Sequence, residues 1–397
     1  MNRKINWGII GVGGWGRQHL AAIRKLEQSR QVRLLCVCDP TLHRFPELEQ
    51  EFANNKTNVY HDLAEMLSGE PELTAVTIAA PIPLHDQMIR LCLSRDNLFI
   101  YLEKPPVPLA RQLDELISLD SKLRVGVAFQ MVEAPWSLQL KHMLVSGKLG
   151  ELQSIRMTAC WPRSDQYYNR TSWAGKMTLN GEPVFDGPAT NGLAHLIHNC
   201  MYFASADSSG FAIPSEIQGE MYRARPIESY DTCCLRGNFP NGCRFFAAFT
   251  HATSMASPFH IEISGSKSWA RVVENEYIIH GNFDPVNGYR HPDDTLSDAY
   301  QSFIEYIQGR RPQPPTLLRD TRGYSLATNA MRDSSGDIHT IGPDWVQSSG
   351  EGENRTYHIH DINEIITDSL RQPLLFSERK LPWAVNSKPI NLPICQS

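Results

Sequence analysis

A charged pair, Glu103-Lys104, directly follows the apolar run Leu98 to Leu102 and precedes two prolines. Charge at the end of a buried strand is costly unless it has a task. A lysine amine beside desolvated surface and another cation has a lowered pKa, so it can accept a proton from a hydroxyl group. Lys104 is therefore a candidate general base, and the structural alternative is an ion pair at the strand end.

A second candidate group is a polar stripe that repeats with helical spacing. Its members stand at i, i+4, i+7, i+8 and i+11, and they are Asn191, His195, His198, Asn199 and Tyr202. Two histidines and two asparagines with few charges favour a hydroxyl-rich ligand over an ordinary solvated face. We expect Asn191, His195 and His198 to contact a substrate. No carboxylate accompanies the histidines on the stripe, so a metal site is not expected there, nor at His358-x-His360.

A loop rich in aromatic and arginine side chains spans residues 161–175. Aromatic faces stack on the C–H faces of sugar rings, and arginine binds hydroxyls or a carboxylate. The expected substrate contacts here are Arg163, Tyr168, Arg170 and Trp173. An aromatic plug at a subunit interface is the alternative.

The residues that could bind a nucleotide lie at the start of the chain. The loop Gly11-Val12-Gly13-Gly14-Trp15-Gly16 stands between an apolar run, 5–10, and a helix-like stretch beginning at Arg17. Gly11 permits a tight turn, Gly13 lets backbone approach a pyrophosphate, and Gly16 lets helix pack on strand. The helix N-terminus offers N–H groups and a positive dipole end to phosphates. The expected cofactor contacts are Gly11, Gly13, Gly14, Trp15 and Gly16.

Three later strand ends extend this nucleotide site. Asp39, after the run 32–38, can accept hydrogen bonds from both ribose hydroxyls and would repel a 2′-phosphate, so NAD is favoured over NADP. Its alternative role is a helix cap before Pro40. Further expected cofactor contacts are Ala80, Pro81, His85, Glu103 and Lys104, although His85 could equally cap the following helix.

These residues need a scaffold that brings strand ends together. Strand-like segments at 5–10, 32–38, 57–60, 73–79, 97–102 and 123–128 alternate with helical patterns at 17–29, 43–54, 61–68, 84–95 and 109–120. This alternation predicts a doubly wound parallel sheet, the Rossmann arrangement, over residues 1–128.

The pattern of predicted elements changes after a linking helix that begins near Pro135. Strand patterns at 151–160, 215–224, 230–238, 242–250, 258–264 and 268–280 follow one another, and helices are expected at 296–308 and 316–332. Successive strands predict a large, open, mainly antiparallel sheet in an α+β domain, 129–344, one face of which we expect to form a homodimer or homotetramer interface. Residues 345–397 are expected to form an extension or arm laid over a neighbour, or a partly disordered tail.

Composition limits the protein class. At 397 residues with 41% hydrophobic and 20% charged residues, the chain is expected to be a soluble protein of two domains. The net charge of −5 argues against nucleic acid as a partner, and no apolar run is long enough to span a membrane. The start of the chain lacks an apolar signal region, and the nine cysteines show no paired spacing. Free thiols in a reducing cytoplasm are expected.

Three elements together resemble the Gfo/Idh/MocA family, which contains glucose–fructose oxidoreductase and inositol dehydrogenase. They are the pattern from Gly11 to His19, the Ala-Ala-Pro-x-x-x-His stretch ending at His85, and Glu-Lys-Pro ending at Pro105. The resemblance implies an NAD(P)-dependent reaction at a CH–OH carbon of a sugar or cyclitol, with Lys104 catalytic. It also implies a catalytic His195, within a motif whose usual aspartate is Asn191 here. Asparagine cannot carry a proton, so whether Lys104 or His195 is the main acid–base group stays open.

The leading hypothesis is thus a hydride transfer between NAD and a ring carbon of a sugar, glycoside or cyclitol. One alternative is a glycoside hydrolase or lyase that keeps NAD bound through oxidation, elimination and reduction. Another is a non-enzymatic NAD-binding regulator, although such a protein would be expected to have lost Lys104.

Overall fold

The computed structural model describes residues 4–208, 210–274, 276–281, 283–289, 292–312 and 316–393. Parts of three expectations lie outside the described residues. They are residues 1–3 at the start of the sequence, Asn275 within the predicted strand 268–280, and residues 394–397 of the predicted arm.

The secondary structure follows the expected order. The strands are β1 (Ile5–Ile10), β2 (Val32–Cys38), β3 (Asn58–Tyr60), β4 (Ala75–Ile78), β5 (Phe99–Leu102), β6 (Val125–Val127), β7 (Leu152–Cys160), β8 (Thr178–Leu179), β9 (Glu182–Pro183), β10 (Glu216–Arg223), β11 (Thr232–Asn238), β12 (Arg244–Thr250), β13 (Ser257–Gly265), β14 (Trp269–Val273), β15 (Glu276–Gly281), β16 (Phe283–Tyr289), β17 (His339–Thr340), β18 (Val346–Ser349), β19 (Thr356–Ile359) and β20 (Ile390–Asn391). The helices are α1 (Gly16–Gln28), α2 (Pro46–Asn54), α3 (Leu63–Gly69), α4 (His85–Leu93), α5 (Ala110–Leu119), α6 (Pro135–Val145), α7 (Asp165–Asn169), α8 (Ala194–Ala204), α9 (Pro292–Ile307), α10 (Arg322–Ser335) and α11 (Ile362–Asp368).

Residues Met1–Val107, Arg111–Glu133 and Asp293–Thr321 form the first compact unit. Its sheet has the order β3-β2-β1-β4-β5-β6, and the strand pairs are parallel. β4 is buried along its whole length, as expected for a strand covered on both faces. The predicted Rossmann sheet is confirmed. The strand order reverses between β1 and β4, which is where ligands bind in such sheets.

Helix α9 belongs to this first unit although it follows the strands of the second. Tyr300, Phe303 and Ile304 are buried in one cluster with Trp7 and Tyr101. Because these side chains pack on the parallel sheet, the compact units differ from the predicted division at residues 128 and 344. No local sequence signal indicated that α9 packs back onto the first unit, since α9 has an ordinary amphipathic pattern.

The second unit comprises Pro108–Ala110, Ala134–Pro292 and Arg322–Ser397. Its large sheet has the order β16-β15-β14-β13-β7-β12-β11-β10-β17, with β20 also pairing with β10, and most strand pairs are antiparallel. This confirms the predicted open sheet. The predicted strand 268–280 is two antiparallel strands, β14 and β15, because Glu274 adopts a left-handed conformation (φ 51°) that reverses the chain.

The segment after residue 345 packs on the second unit of its own chain. β20 pairs with β10 at Ile217 and Ile390, and Phe376 and Trp383 are buried against the sheet. This replaces the expected arm over a neighbour. The polar and proline-rich composition of this segment gave no local sign that its aromatic side chains are buried against the sheet.

Within the described residues, no helix is both long and apolar enough to cross a membrane. The described cysteines are buried and free of disulfides.

Candidate active site

The glycine loop joins β1 to α1 in a geometry that suits a pyrophosphate. Gly11 has φ 84°, and a Cβ there would lie 2.9 Å from the carbonyl oxygen of Ala79, while a Cβ at Gly16 would collide with the carbonyl oxygen of Gly11. The first turn of α1 contains no acidic residue and no side-chain cap. Nothing lies within 4 Å of a Cβ position at Gly14, considering the described residues. The positive helix end is therefore available to an anion, and the loop fits a dinucleotide.

Asp39 ties the end of β2 to this loop. One carboxylate oxygen accepts the N–H of Val12 at 2.9 Å, and the other accepts the N–H and hydroxyl of Thr41 at 2.8 and 2.7 Å. A carboxylate has about four acceptor sites, so this one retains capacity for a ribose hydroxyl. Trp15 is 55% exposed beside the loop.

His85 is buried and holds two strand-end loops together. Its Nε2 lies 2.9 Å from the carbonyl oxygen of Ala80, and its Nδ1 lies 3.1 Å from those of Pro105 and Pro106. Burial lowers the pKa of His85 against the opposing effect of these carbonyls. The His85 ring therefore positions the segment that carries Lys104. Pro81, which follows Ala80 after β4, is exposed.

Glu103 and Lys104 stand where β5 ends. Glu103 is 8% exposed, and its carboxylate accepts the backbone N–H of Lys104 at 3.1 Å and lies 2.8 Å from Nε2 of His19. Burial raises the pKa of Glu103, but the His19 hydrogen bond and the charge of Lys104 more than offset it, and the net shift is downward. The acid beside Lys104 is thus ionised. His19 was missed as a site residue, although the predicted helix placed it one turn from the glycine loop.

The predicted polar stripe of the second unit is corrected by the structure. Helix α8 begins at Ala194, after Leu193 at the N-cap, so Asn191 lies in the preceding turn and not on the helix. Every residue of α8 is buried. His198 is 0% exposed and stacks on Phe211 with ring centroids 4.6 Å apart, and burial lowers its pKa to about 3. Such a ring is a core residue. His195, in the first turn of α8, is 9% exposed.

Asp186 supplies a carboxylate to the turn before α8. It accepts a hydrogen bond from the side-chain amide of Asn191 at 2.8 Å and from the N–H of Gly175 at 2.7 Å. The charge expected at position 191 is therefore present five residues earlier in the chain. Asp186 was not predicted as a site residue, because its hydrogen bond to Asn191 depends on the conformation of the turn and no sequence spacing indicates it.

The loop 161–175 stacks its arginines on its aromatic rings. The guanidinium of Arg170 lies 3.6 Å from the ring centre of Tyr167 and 5.2 Å from that of Trp173, and Arg163 lies 4.8 Å from Tyr167. Tyr168 is largely buried, with its hydroxyl 3.1 Å from Nδ1 of His251. The loop is thus a preorganised surface of rings and guanidinium groups.

The same loop meets the turn before α8. A Cβ at Gly192 would lie 3.6 Å from the ring of Trp161 and 4.0 Å from Nε2 of His251. Burial and the surrounding arginines lower the pKa of His251, so it is neutral at physiological pH. His251 and Arg225, whose guanidinium stacks on Tyr168 at 4.2 Å, were also missed, because both lie in segments distant in sequence from the loop, just after β12 and β10.

No cluster of three or more His, Cys, Asp or Glu side chains able to hold a metal ion occurs in the part of the chain that is described. His358 instead hydrogen-bonds through Nε2 to the hydroxyl of Ser349 at 2.6 Å.

Comparison with known families is consistent with this geometry. Residues 5–130 match a family described as an oxidoreductase family with an NAD-binding Rossmann fold, and residues 137–271 match the GFO/IDH/MocA C-terminal domain. An uncharacterized oxidoreductase of Synechocystis is 29% identical over 153 residues, which are 38% of this chain and 39% of that protein. The match spans about two fifths of that relative. An oxidoreductase of Formosa agariphila is 24% identical over 285 residues, covering 66% of this chain and 85% of that protein.

Solved structures share the fold at low identity. The WlbA dehydrogenase of Chromobacterium violaceum, in complex with NADH and UDP-GlcNAcA, aligns with a TM-score of 0.69 at 21% identity, covering 85% of this chain and 95% of that one. A levoglucosan dehydrogenase in complex with NADH and levoglucosan aligns with a TM-score of 0.70 at 17% identity, covering 84% and 98%. The first unit is accordingly an NAD-binding Rossmann domain.

Proposed function

This chain belongs to the Gfo/Idh/MocA oxidoreductase family, and from that premise we propose that it transfers hydride between nicotinamide and a ring carbon of a sugar, glycoside or cyclitol. The observation that carries the proposal is the placement of Lys104 two residues after β5, at the carboxyl end of the parallel sheet, where ligands bind in such sheets. NAD would supply the hydride acceptor, and the residues that would hold it are the glycine loop and Asp39.

Three groups of candidate residues have roles in the proposed reaction. Lys104 of the first unit takes the hydroxyl proton as the carbon is oxidised and returns it in the reverse direction. His195 of the second unit is the other titratable candidate, with Asn191 held by Asp186. Arg163, Arg170 and Trp173 of the aromatic loop orient the ring. Two structural neighbours are complexes with carbohydrate derivatives, which supports this substrate class.

The first experiment incubates the purified protein with NAD and a panel of sugars, glycosides and cyclitols. Reduced nicotinamide is followed by absorbance and the carbohydrate products by chromatography. Accumulation of NADH together with a ketone or lactone supports the proposal. Cleavage of a glycoside without net NADH would instead indicate a hydrolase or lyase cycle, and NAD binding with no turnover of any compound would favour the regulatory alternative.

Variants at the candidate base then assign the chemistry. Lys104→Met should lower kcat by about 10² to 10⁴ while NAD still binds, because a positioned acid–base group contributes about that much. Lys122→Met is the matched control, since Lys122 lies on the surface in an ion pair with Asp96. A parallel His195→Asn variant shows which of the two groups dominates. Unchanged turnover in the Lys104 variant would refute the assigned role.

A further inference from the structure

A line of buried polar side chains in the first unit leads to the carboxylate beside Lys104. Its hydrogen bonds are 2.7 to 3.0 Å long and join, in order, Trp7, Thr77, Tyr300, His19 and Glu103. The four residues before Glu103 are 0% exposed. They come from β1, β4, α9 and α1, so the chain of bonds exists only in the folded unit.

One arrangement gives each donor in this line an acceptor within the line itself. An indole N–H can only donate, so Thr77 Oγ1 accepts from Trp7, and in this arrangement the Thr77 hydroxyl donates to the Tyr300 oxygen. The Tyr300 hydroxyl then donates to Nδ1 of His19. With Nδ1 acting as an acceptor, His19 is the neutral tautomer that carries its proton on Nε2 and donates it to Glu103. In this arrangement every donor in the line has an acceptor.

We propose that Tyr300 and His19 are positioning residues for the Glu103 carboxylate. Tyr300 keeps His19 neutral, and His19 holds the carboxylate in place without neutralising it. The negative charge of Glu103 therefore acts on the amine of Lys104. The inference rests on the proposed acid–base role of Lys104 and names what controls it. If His19 were an imidazolium, it would neutralise Glu103 and favour the free amine at Lys104. With a neutral His19, Glu103 favours the ammonium form in the free enzyme.

Within the described residues, few kinds of titratable group interact with Glu103. Beside Lys104 they are His19 on α1 and His85 on α4, and the phenol of Tyr300 on α9 adds no charge, because burial raises its pKa well above the ordinary value. His85 is held by backbone carbonyls and is neutral through burial. Lys104 is accordingly the cation that balances Glu103 among these groups.

The fold provides a matched control for Tyr300. The ring of Tyr101 lies 4.6 Å from that of Tyr300, between ring centres, and both are fully buried. The Tyr101 hydroxyl, however, has no hydrogen-bond partner among the described residues. Tyr101→Phe therefore removes the same atom from the same cluster without breaking the line.

The test measures the titration of the Lys104 amine directly, without a substrate. Full-length protein, with and without NAD, is labelled briefly with acetic anhydride over a range of pH, and labelled peptides are quantified by mass spectrometry with Lys122 as internal reference.

In E103Q the midpoint of the Lys104 titration should fall by about 1 pH unit, because an opposite charge is lost. Y300F should lower it in the same direction, because His19 Nδ1 loses its donor and can take a proton that neutralises Glu103. H19Q, a neutral donor that cannot be protonated, should keep the wild-type midpoint, as should Y101F.

Two results would overturn the inference. One is an unchanged midpoint in E103Q. The other is equal midpoints in Y300F and Y101F. If Y300F fails to fold, H19Q and H19L form the deciding pair, and the same midpoint in both contradicts the role of His19. The labelling result is independent of turnover, so a silent sugar panel with shifted midpoints would reject the proposed function and leave the Lys104 environment as inferred.

Discussion

At the scale of single residues, both units hold buried carboxylates, and the partners of each carboxylate decide the direction in which its pKa shifts. Glu103 is kept ionised by His19 and Lys104. Burial instead raises the pKa of Asp231, despite the opposing charge of Arg225 and two backbone N–H groups. The direction in which the pKa of a buried acid shifts thus depends on whether hydrogen bonds and counter-charge exceed the desolvation cost.

Asp39 should determine the choice between NAD and NADP. In Asp39→Asn the repulsion of a 2′-phosphate is lost while an oxygen remains to accept the N–H of Val12. We expect the affinity for NADP relative to NAD to rise about tenfold, or about 1.4 kcal/mol, measured by calorimetric titration of both dinucleotides. Asp96→Asn, on the surface of the same unit, is the control. An unchanged ratio would show that this carboxylate does not select the cofactor.

Asp320 should make stability depend on pH. Burial raises its pKa to about 6 from an ordinary value of 3.8. Between these values the folded state binds the proton and the unfolded state does not, so stability falls as pH rises through this window and the cost is complete above about pH 6. Asp320→Asn keeps an acceptor for the N–H of Leu317. The variant should match the wild type near about pH 4 and be more stable by about 3 kcal/mol near about pH 8, in urea unfolding.

The matched control for this substitution is Asp333→Asn, because Asp333 is an exposed partner of Arg332. Its effect should be small and independent of pH. Destabilisation of Asp320→Asn at alkaline pH would mean that the carboxylate is needed as an anion.

At the scale of elements, the loop–helix junction after β1 depends on two glycines in different ways. A Cβ at Gly16 collides with backbone at Gly11, whereas the position at Gly14 is open in space and has only a positive φ of 52°. Gly16→Ala should therefore abolish NAD binding and lower the melting temperature. Gly14→Ala should cost about 1 kcal/mol of stability and retain most binding. Similar affinities in the two variants, by fluorescence titration with NADH, would contradict this distinction.

The C-terminal segment should behave as part of the core. Phe376 is 0% exposed and packs in the cluster that contains Trp383 and Ile366. Phe376→Ala should lower the free energy of unfolding by about 3–5 kcal/mol through the cavity it leaves. Leu374→Ala, two residues earlier and 37% exposed, should change it by less than about 0.5 kcal/mol. Equal effects in urea unfolding would restore the view of a loosely attached arm.

At the scale of the whole molecule, the open sheet face remains the predicted oligomer interface. Along β14 the residues alternate, with Trp269 and Arg271 exposed and Ala270 and Val272 buried. An exposed tryptophan on a broad sheet favours covering by a second copy. We expect a dimer or tetramer in light scattering, and Trp269→Glu should shift it to a smaller species. Trp345→Glu, at a similarly exposed tryptophan outside the sheet, should leave the mass unchanged. A monomeric wild type would refute this interface.

Sequence patterns predicted the parts of the molecule that are encoded within short stretches. The six parallel strands were located to within about two residues, because apolar runs and glycine turns are local signals. The start of α8 was placed too early, since Asn191 continues the helical spacing while the chain there is still in a turn. The burial of His198 could not be predicted from its sequence neighbours either. Its polarity is that of a ligand-binding residue, but it packs against Phe211 in the core.

The amino-acid sequence by itself therefore determined the cofactor class, the alternation of strands and helices in the Rossmann domain, and the candidate base at position 104. Each of these depends on residues that are close together in the sequence. Tertiary structure alone decided that Tyr300 reaches His19 from 281 residues away and that Asp186 turns back to Asn191. It also decided that the last segment folds onto its own sheet. Hydrogen-bond partners and desolvation arise from contacts between distant segments, and those contacts form only when the chain is folded.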